Sequence, residues 1–255
     1  MKTVYVVLSP KKKWSNSAYL AAVSHPFAGS DSMTIHYRGP KDVQSIMEQL
    51  RKGCRLVLVM PLFVDGIPSH VLELMEKIEQ QTKQERLHSE VYSMINCGFY
   101  EGQQCEYALE MVECWCLRCG FQFMGGRGIG AGEMFGVLRL NLLIGALLIA
   151  ADFAINLVKA AFSGAFSMSL VLSGMHPLSG VITIALGILW SLGPWFAAAK
   201  VGSCAKKGIQ CGVRYTTVTC CPSILFAFFA SLYWVLRALI MHRIPIWTLF
   251  KKTDE

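Results

Sequence analysis

Thr3-Val4-Tyr5-Val6-Val7-Leu8 runs directly into Ser9-Pro10-Lys11-Lys12-Lys13-Trp14-Ser15-Asn16-Ser17, and then into Ala18-Tyr19-Leu20-Ala21-Ala22-Val23. The first run is apolar, β-branched and unbroken, the pattern of a strand buried on both faces of a parallel sheet. The last run starts a helix, with Asn16 or Ser17 as its expected N-cap. Between them lies a hydroxyl-rich, cationic loop. Hydroxyls, backbone N–H groups and a helix N-terminus therefore meet at one point. That combination suits a phosphate dianion, and an ordinary capped connection satisfies the same residues.

The alternation continues outward from this unit. Strands are expected at Met33–Tyr37, Arg55–Met60, Glu90–Ile95 and Phe121–Met124, with helices at Lys41–Lys52, Ser69–Gln80 and Gln103–Cys119. In the third of the four helices, counting from the N-terminus, Val71, Leu72, Met75 and Ile78 are expected to face inward. Strict strand–helix alternation predicts α/β: a five-stranded parallel flavodoxin-like sheet with helices on both faces. In such sheets ligands bind beyond the carboxyl ends of the strands. Two more loops fall at that edge. Pro61-Leu62-Phe63-Val64-Asp65-Gly66-Ile67-Pro68 is stiffened by two prolines and places an aromatic ring there. Asn96-Cys97-Gly98-Phe99-Tyr100-Glu101-Gly102 has glycines that allow close backbone approach. A rigid turn before a helix explains the first of these equally well.

These residues resemble the flavodoxin-like, NAD(P)H-dependent FMN reductases. The resemblance rests on Ser9-Pro10 with Ser15-Asn16-Ser17, on Pro61 to Pro68, on Gly98 to Gly102, and on the stretch from Trp115 to Gly132. It covers about residues 1–134. It implies that Ser9, Ser15, Asn16 and Ser17 hold the FMN phosphate. Pro61, Leu62, Phe63 and Asp65 would border the flavin ring on one side, and Gly98 and Tyr100 on the other. It further implies NAD(P)H as electron donor, a small-molecule or quinone-like acceptor, and a homodimer whose second subunit completes the site near Phe63 and Tyr100. A flavodoxin-like electron carrier, sensor or interaction module without reductase activity has the same motifs. No catalytic side chain is assigned, because a bound flavin carries hydride chemistry without a protein base.

Other motifs lose weight on spacing. Gly126-Arg127-Gly128-Ile129-Gly130-Ala131 fits a loose dinucleotide pattern but follows the last expected strand instead of the first. Cys114, Cys116 and Cys119 fall within one helix, where Cys114 and Cys116 point in different directions and no fourth cysteine is close, so no metal site is expected. The ten cysteines read as reduced thiols.

The texture changes after Gly136. Residues 1–134 carry 14 Lys/Arg and 14 Asp/Glu, whereas residues 135–255 carry 10 Lys/Arg and 3 acids. The excess positive charge flanks apolar runs and forms no polar basic face, so no nucleic acid is expected as partner. Asn141–Val158, Val181–Ala199 and Ser223–Met241 are each 18 or 19 residues long. Such lengths suit a hydrocarbon core of ~30 Å, although core helices of a soluble domain share the composition. The expected organisation is a flavodoxin-like domain at 1–135 and an all-α, transmembrane region at 136–255. The partner is membrane lipid, crossed more than once. Met1 to Lys13 lacks the features of a secretory signal, which places the first domain in the cytoplasm. Asp152 and Arg237, single charges in apolar runs, are expected to face each other.

Overall fold

The computed structural model describes residues 1–11, 15–132, 134–163 and 167–240. It falls into two compact units, Met1–Glu133 with Leu192–Thr219, and Met134–Ser191 with Cys220–Glu255.

In the first unit the strands are β1 (Lys2–Val7), β2 (Met33–His36), β3 (Cys54–Pro61), β4 (Glu90–Asn96), β5 (Gln122–Ile129) and β6 (Gly212–Thr216). They form one sheet in the order β2-β1-β3-β4-β5-β6, and every pairing is parallel. The helices are α1 (Asn16–Ser24), α2 (Pro40–Arg51), α3 (Ser69–Glu85) and α4 (Glu106–Cys119), and the end of a later helix, α7 (Leu178–Lys207), joins them. Val4, Val6, Leu56 and Leu58 share a core with Ile46, Leu74 and Trp115 of α2, α3 and α4. The opposite face takes α1 and the end of α7. There the Tyr5 hydroxyl bonds the Ser24 hydroxyl at 2.8 Å, and the Tyr92 hydroxyl donates to the carbonyls of Cys204 at 3.3 Å and Ile209 at 3.1 Å.

The sheet has six strands, not the five expected. β6 is five residues long and contains Arg214, so its own sequence carries little strand signal. It is defined by its partner, pairing with β5 from Gly125↔Gly212 to Ile129↔Thr216. β5 itself runs through the glycines that the sequence placed beyond the strand. A Cβ on Gly126 would lie 2.6 Å from the Leu109 side chain, and one on Gly128 would lie 2.5 Å from the Gly102 carbonyl oxygen. These glycines are there for close packing under α4 and beside β6. Buried Arg127 fastens the two strands, donating to the carbonyls of Gly126 and Gly212 at 2.8 Å and Cys211 at 3.3 Å. On α3 the inward face is Val71, Leu74, Met75 and Ile78, while Leu72 is exposed.

The second unit holds α5 (Met134–Phe162), α6 (Met168–Ser173), the start of α7, and α8 (Ser223–Ile240). Asn141–Phe162 and Leu178–Lys207 are long and apolar enough to cross a membrane by length and composition. The run 181–199, read from sequence as one span, is divided between the units. Residues 192–199 belong to the first unit, where Ala197, Ala198, Val201, Cys204 and Ala205 form the buried stripe of α7. Hydropathy alone does not separate such a small-residue packing face from a lipid-facing one.

Within the second unit α5 and α7 meet at two glycines. A Cβ on Gly145 would lie 2.8 Å from the Gly180 carbonyl, and one on Gly180 would lie 2.7 Å from that of Gly145. Small residues of this kind let helix backbones approach closely. α6 and α7 are separated by Gly174–Pro177, and Asp152 serves that break. Its Oδ2 accepts the His176 N–H at 2.6 Å, and its Oδ1 accepts from Asn156 Nδ2 at 3.2 Å. Asp152 therefore ties α5 to the connection that precedes α7. Among the described residues no ion pair joins it to Arg237, whose guanidinium lies 5.2 Å over the Trp234 ring.

Candidate functional site

Three strand-to-helix connections meet at the carboxyl edge of β1, β3 and β4. The cleft they form encloses about 70 Å³, enough for a group the size of about two waters. Its walls are Ser9, Lys11, Ser15, Asn16, Ser17, Pro61, Leu62, Phe63, Asn96, Gly98 and Gly132. None of these is acidic. Eight of the residues singled out in the sequence are thus brought together: Ser9, Ser15, Asn16, Ser17, Pro61, Leu62, Phe63 and Gly98.

The floor is built by α1. Ser15, not Asn16 or Ser17, is its N-cap, with φ −139° and ψ 152°, and its Oγ accepts the Ala18 N–H at 3.1 Å. The Tyr19 N–H bonds the Ser15 carbonyl at 3.0 Å. That leaves the N–H groups of Asn16 and Ser17, in the first turn, without an intrahelical acceptor. The Ser17 hydroxyl donates to Asn96 Oδ1 at 2.8 Å, and Asn16 Nδ2 donates to the Gly132 carbonyl at 2.7 Å. These two side chains brace α1 against the ends of β4 and β5. Ser9 Oγ accepts the Lys11 N–H at 3.4 Å, and Arg38 donates to the Lys11 carbonyl at 2.9 Å, so the loop is tied at both ends of its described part. Lys12 and Lys13 lie outside the described residues.

Asn96 and Gly132 are parts of the site that the sequence reading left out. A Cβ on Gly132 would lie 2.8 Å from the Cys97 carbonyl and 3.2 Å from Asn96 Nδ2. Only glycine lets the chain after β5 close over the floor. The available signal was an asparagine ending a buried apolar strand, where an unpaired amide is costly.

Asp65 and Tyr100 are not among the lining residues. Phe63 and Gly66 exchange two backbone hydrogen bonds at 3.0 Å, closing a two-residue turn. Val64 and Asp65 occupy it with φ of 47° and 58°. Asp65 stands at the exposed tip, away from the cleft wall that Phe63 provides. A β-branched residue with positive φ is uncommon and costly. Tyr100 is half-buried, and its carbonyl accepts the Thr217 hydroxyl at 2.5 Å. Its backbone thereby helps anchor the segment after β6.

Exposed apolar groups occur in the two loops that supply Phe63 and Gly98 to the cleft. Phe63 is 46% exposed, Val64 99% and Phe99 53%. The arrangement provides a small polar cradle with backbone and hydroxyl donors, beside an edge of rings and prolines.

No protein-family model matches the chain. No curated protein matches it in sequence. Among solved structures, the Trp repressor binding protein from Bacillus subtilis is 14% identical over 49% of this chain and 83% of its own, with a TM-score of 0.42. An NADPH-quinone reductase from P. pentosaceus is 16% identical over 48% of this chain and 81% of its own, at 0.39. The azoreductase AzrA is 13% identical over 80% of this chain and 99% of its own, also at 0.39. All three scores lie below 0.5.

Proposed function

We propose that the first unit binds FMN by its phosphate and works as an NAD(P)H-dependent oxidoreductase attached to a membrane, passing electrons to a small, quinone-like acceptor. The observation that carries this reading is the cradle at the start of α1, where N–H groups without an intrahelical acceptor and hydroxyls converge, with no acid among the described lining residues.

The donors suit a phosphate. Asn16 and Ser17 offer backbone N–H groups. Ser9 and Ser15 each accept one hydrogen bond through oxygen, which leaves each hydroxyl proton to donate. The side chains of Asn16 and Ser17 hold this geometry through Gly132 and Asn96, so they position the donors. Lys11 adds positive charge at the rim. The enclosed space is too small for three fused rings, so the ring system would lie outside it, along Pro61, Leu62, Phe63 and Gly98. Bound flavin would supply hydride acceptance and delivery. The protein's part is to hold the phosphate, present one ring face and keep water off the other.

Phe63, Val64 and Phe99 form the surface on which a second copy of the chain would complete the ring site, which supports a homodimer. The exposed apolar side chains of α5 and α8 support lipid as the surroundings of the second unit. Lys200, Lys206, Lys207 and Arg214 all belong to the first unit, which by the positive-inside rule favours a cytoplasmic position for it.

The test is spectroscopic. The full chain, purified in mild detergent, should carry a flavin band at about 450 nm that NADPH or NADH bleaches without oxygen. A colourless protein that takes up no FMN would refute the reading. A band that neither nucleotide bleaches would leave an electron carrier or sensor.

A further inference from the structure

The connection from β4 to α4 holds two thiols for which the flavin reading has no use. Cys97 directly follows β4, and Cys105 closes the single helical turn Gly102–Cys105 that leads into α4. Both are buried and free. Cys105 Sγ lies 3.4 Å from the carbonyl oxygen of Ile95, two residues before Cys97. Cys97 Sγ turns toward the same connection, 3.5 Å from the Glu101 carbonyl and 3.7 Å from that of Phe99. The two thiol groups hydrogen-bond to each other. The loop after Cys97 holds Gly98, which lines the cleft, and Phe99, which is exposed, while Cys97 itself is buried.

The pair is chemically unequal. A hydrogen bond with the Cys105 side chain holds the Cys97 thiol below its ordinary value despite burial. The same bond, with burial, pushes Cys105 well up. The shared contact and burial thus move the two thiols in opposite directions, Cys97 down and Cys105 up. An attacking thiolate beside a protonated resolving thiol is the arrangement of redox-responsive cysteines.

We propose that Cys97 and Cys105 are a redox pair that closes reversibly into a disulfide and clamps the Gly98–Glu101 loop at the rim of the cleft. The oxidant is a hydroperoxide. The Cys97 thiolate attacks the peroxide, an S–O bond forms as the O–O bond breaks, and the departing hydroxide takes a proton to become water. The Cys105 sulfur then displaces the hydroxyl from Cys97. The S–S bond forms, the S–O bond breaks, and a second water leaves with the Cys105 proton. Two thiols and one hydrogen peroxide give one disulfide and two waters. A small thiol such as glutathione, in two equivalents, returns both electrons. The pair does not depend on the flavin reading.

Peptide mapping tests this on the whole protein in detergent. After one equivalent of hydrogen peroxide at neutral pH, free thiols are blocked with iodoacetamide and the chain is cut with trypsin. The peptide Leu87–Arg118 should lose two hydrogens and remain unblocked at positions 97 and 105, with fragmentation separating these from Cys114 and Cys116. Dithiothreitol should restore both blocking sites. Closing so short a loop should raise the melting temperature by roughly 5 °C. In Cys105→Ser, dimedone should instead trap a sulfenic acid on Cys97. The proposal is overturned if both thiols of the wild-type chain stay open to blocking. It is equally overturned if Cys97 is oxidised without joining Cys105, or if the only bridge found links the separate peptides that carry Cys204 and Cys211.

Discussion

Tyr5 and Leu147 are both large apolar residues near the middle of regular elements, yet Tyr5 is fully buried while Leu147 is 58% exposed. The contrast holds for the units around them. In the first unit Val4, Val6, Leu56, Val57 and Tyr92 have no exposed surface. In the second, Leu143 is 57% exposed, Ile155 55% and Leu172 59%. Each square ångström of apolar surface left in water costs about 25 cal/mol relative to burial, so side chains arrayed outward along a whole helix call for a cover, which the proposed function assigns to lipid. Apolar composition serves opposite ends in the two units: inside a sheet sandwich in one, outside a helical hairpin in the other. α7 takes part in both, with a stripe of small residues packed in the first unit and an apolar stretch in the second.

The largest expected effect follows from that contrast. Leu143→Lys, Leu147→Lys and Ile155→Lys change exposed positions, and on a soluble surface each would be worth within about 0.5 kcal/mol. In a bilayer each costs about 2.5–3.5 kcal/mol near a helix centre. The triple variant should lose retention in carbonate-washed membranes, and the parent chain should keep it. Equal behaviour in both fractions would erase the difference drawn between the units.

The packing of the first unit gives a graded series. Gly128→Ala meets the Gly102 backbone at 2.5 Å, Gly126→Ala meets the flexible end of Leu109 at 2.6 Å, and Gly39→Ala meets nothing within 4 Å. Overpacking costs about 1–3 kcal/mol. The melting temperatures should fall in the order Gly128→Ala, Gly126→Ala, Gly39→Ala, with the last near the parent.

A smaller effect appears at alkaline pH. Burial pushes the Cys54 thiol and the Tyr5 hydroxyl up to about 12, and Cys119 up to about 11. These folded-state values exceed the unfolded ones, so the protonated groups favour the folded chain. Their contribution is complete below the unfolded thiol value of about 9 and is lost as pH rises toward 12. Denaturant midpoints of the first unit should be level from pH 7 to about 8.5 and then decline. A midpoint that rises there would reverse the assignment.

The sequence shows β1, its loop and α1 plainly, because strand, hydroxyl-rich turn and helix follow without interruption. It shows the cleft because three loops at one sheet edge must converge. It does not show β6, whose five residues become a strand only beside β5. It does not show that α7 packs against the sheet, since alanines at helical spacing look alike in lipid and in protein. Asp65 leaves the cleft because Val64 and Asp65 both take positive φ, which two-residue turns ordinarily reserve for asparagine and glycine. The bracing roles of Asn16 and Ser17 depend on Gly132 and Asn96, partners 116 and 79 residues away, and no local pattern reveals them.

The cradle at the head of α1 can be tested by changing its charge while keeping its cap. Asparagine and aspartate both cap helices as well as serine does, so Ser15→Asn and Ser15→Asp should melt close to the parent. Only aspartate sets a negative charge against a phosphate dianion. In titrations of flavin-free protein with FMN, Ser15→Asn should stay within a few-fold of the parent, and Ser15→Asp should bind at least about tenfold more weakly, some 1.4 kcal/mol. Equal FMN affinity in all three proteins, at equal melting temperature, would contradict the account and put the phosphate somewhere other than this cradle.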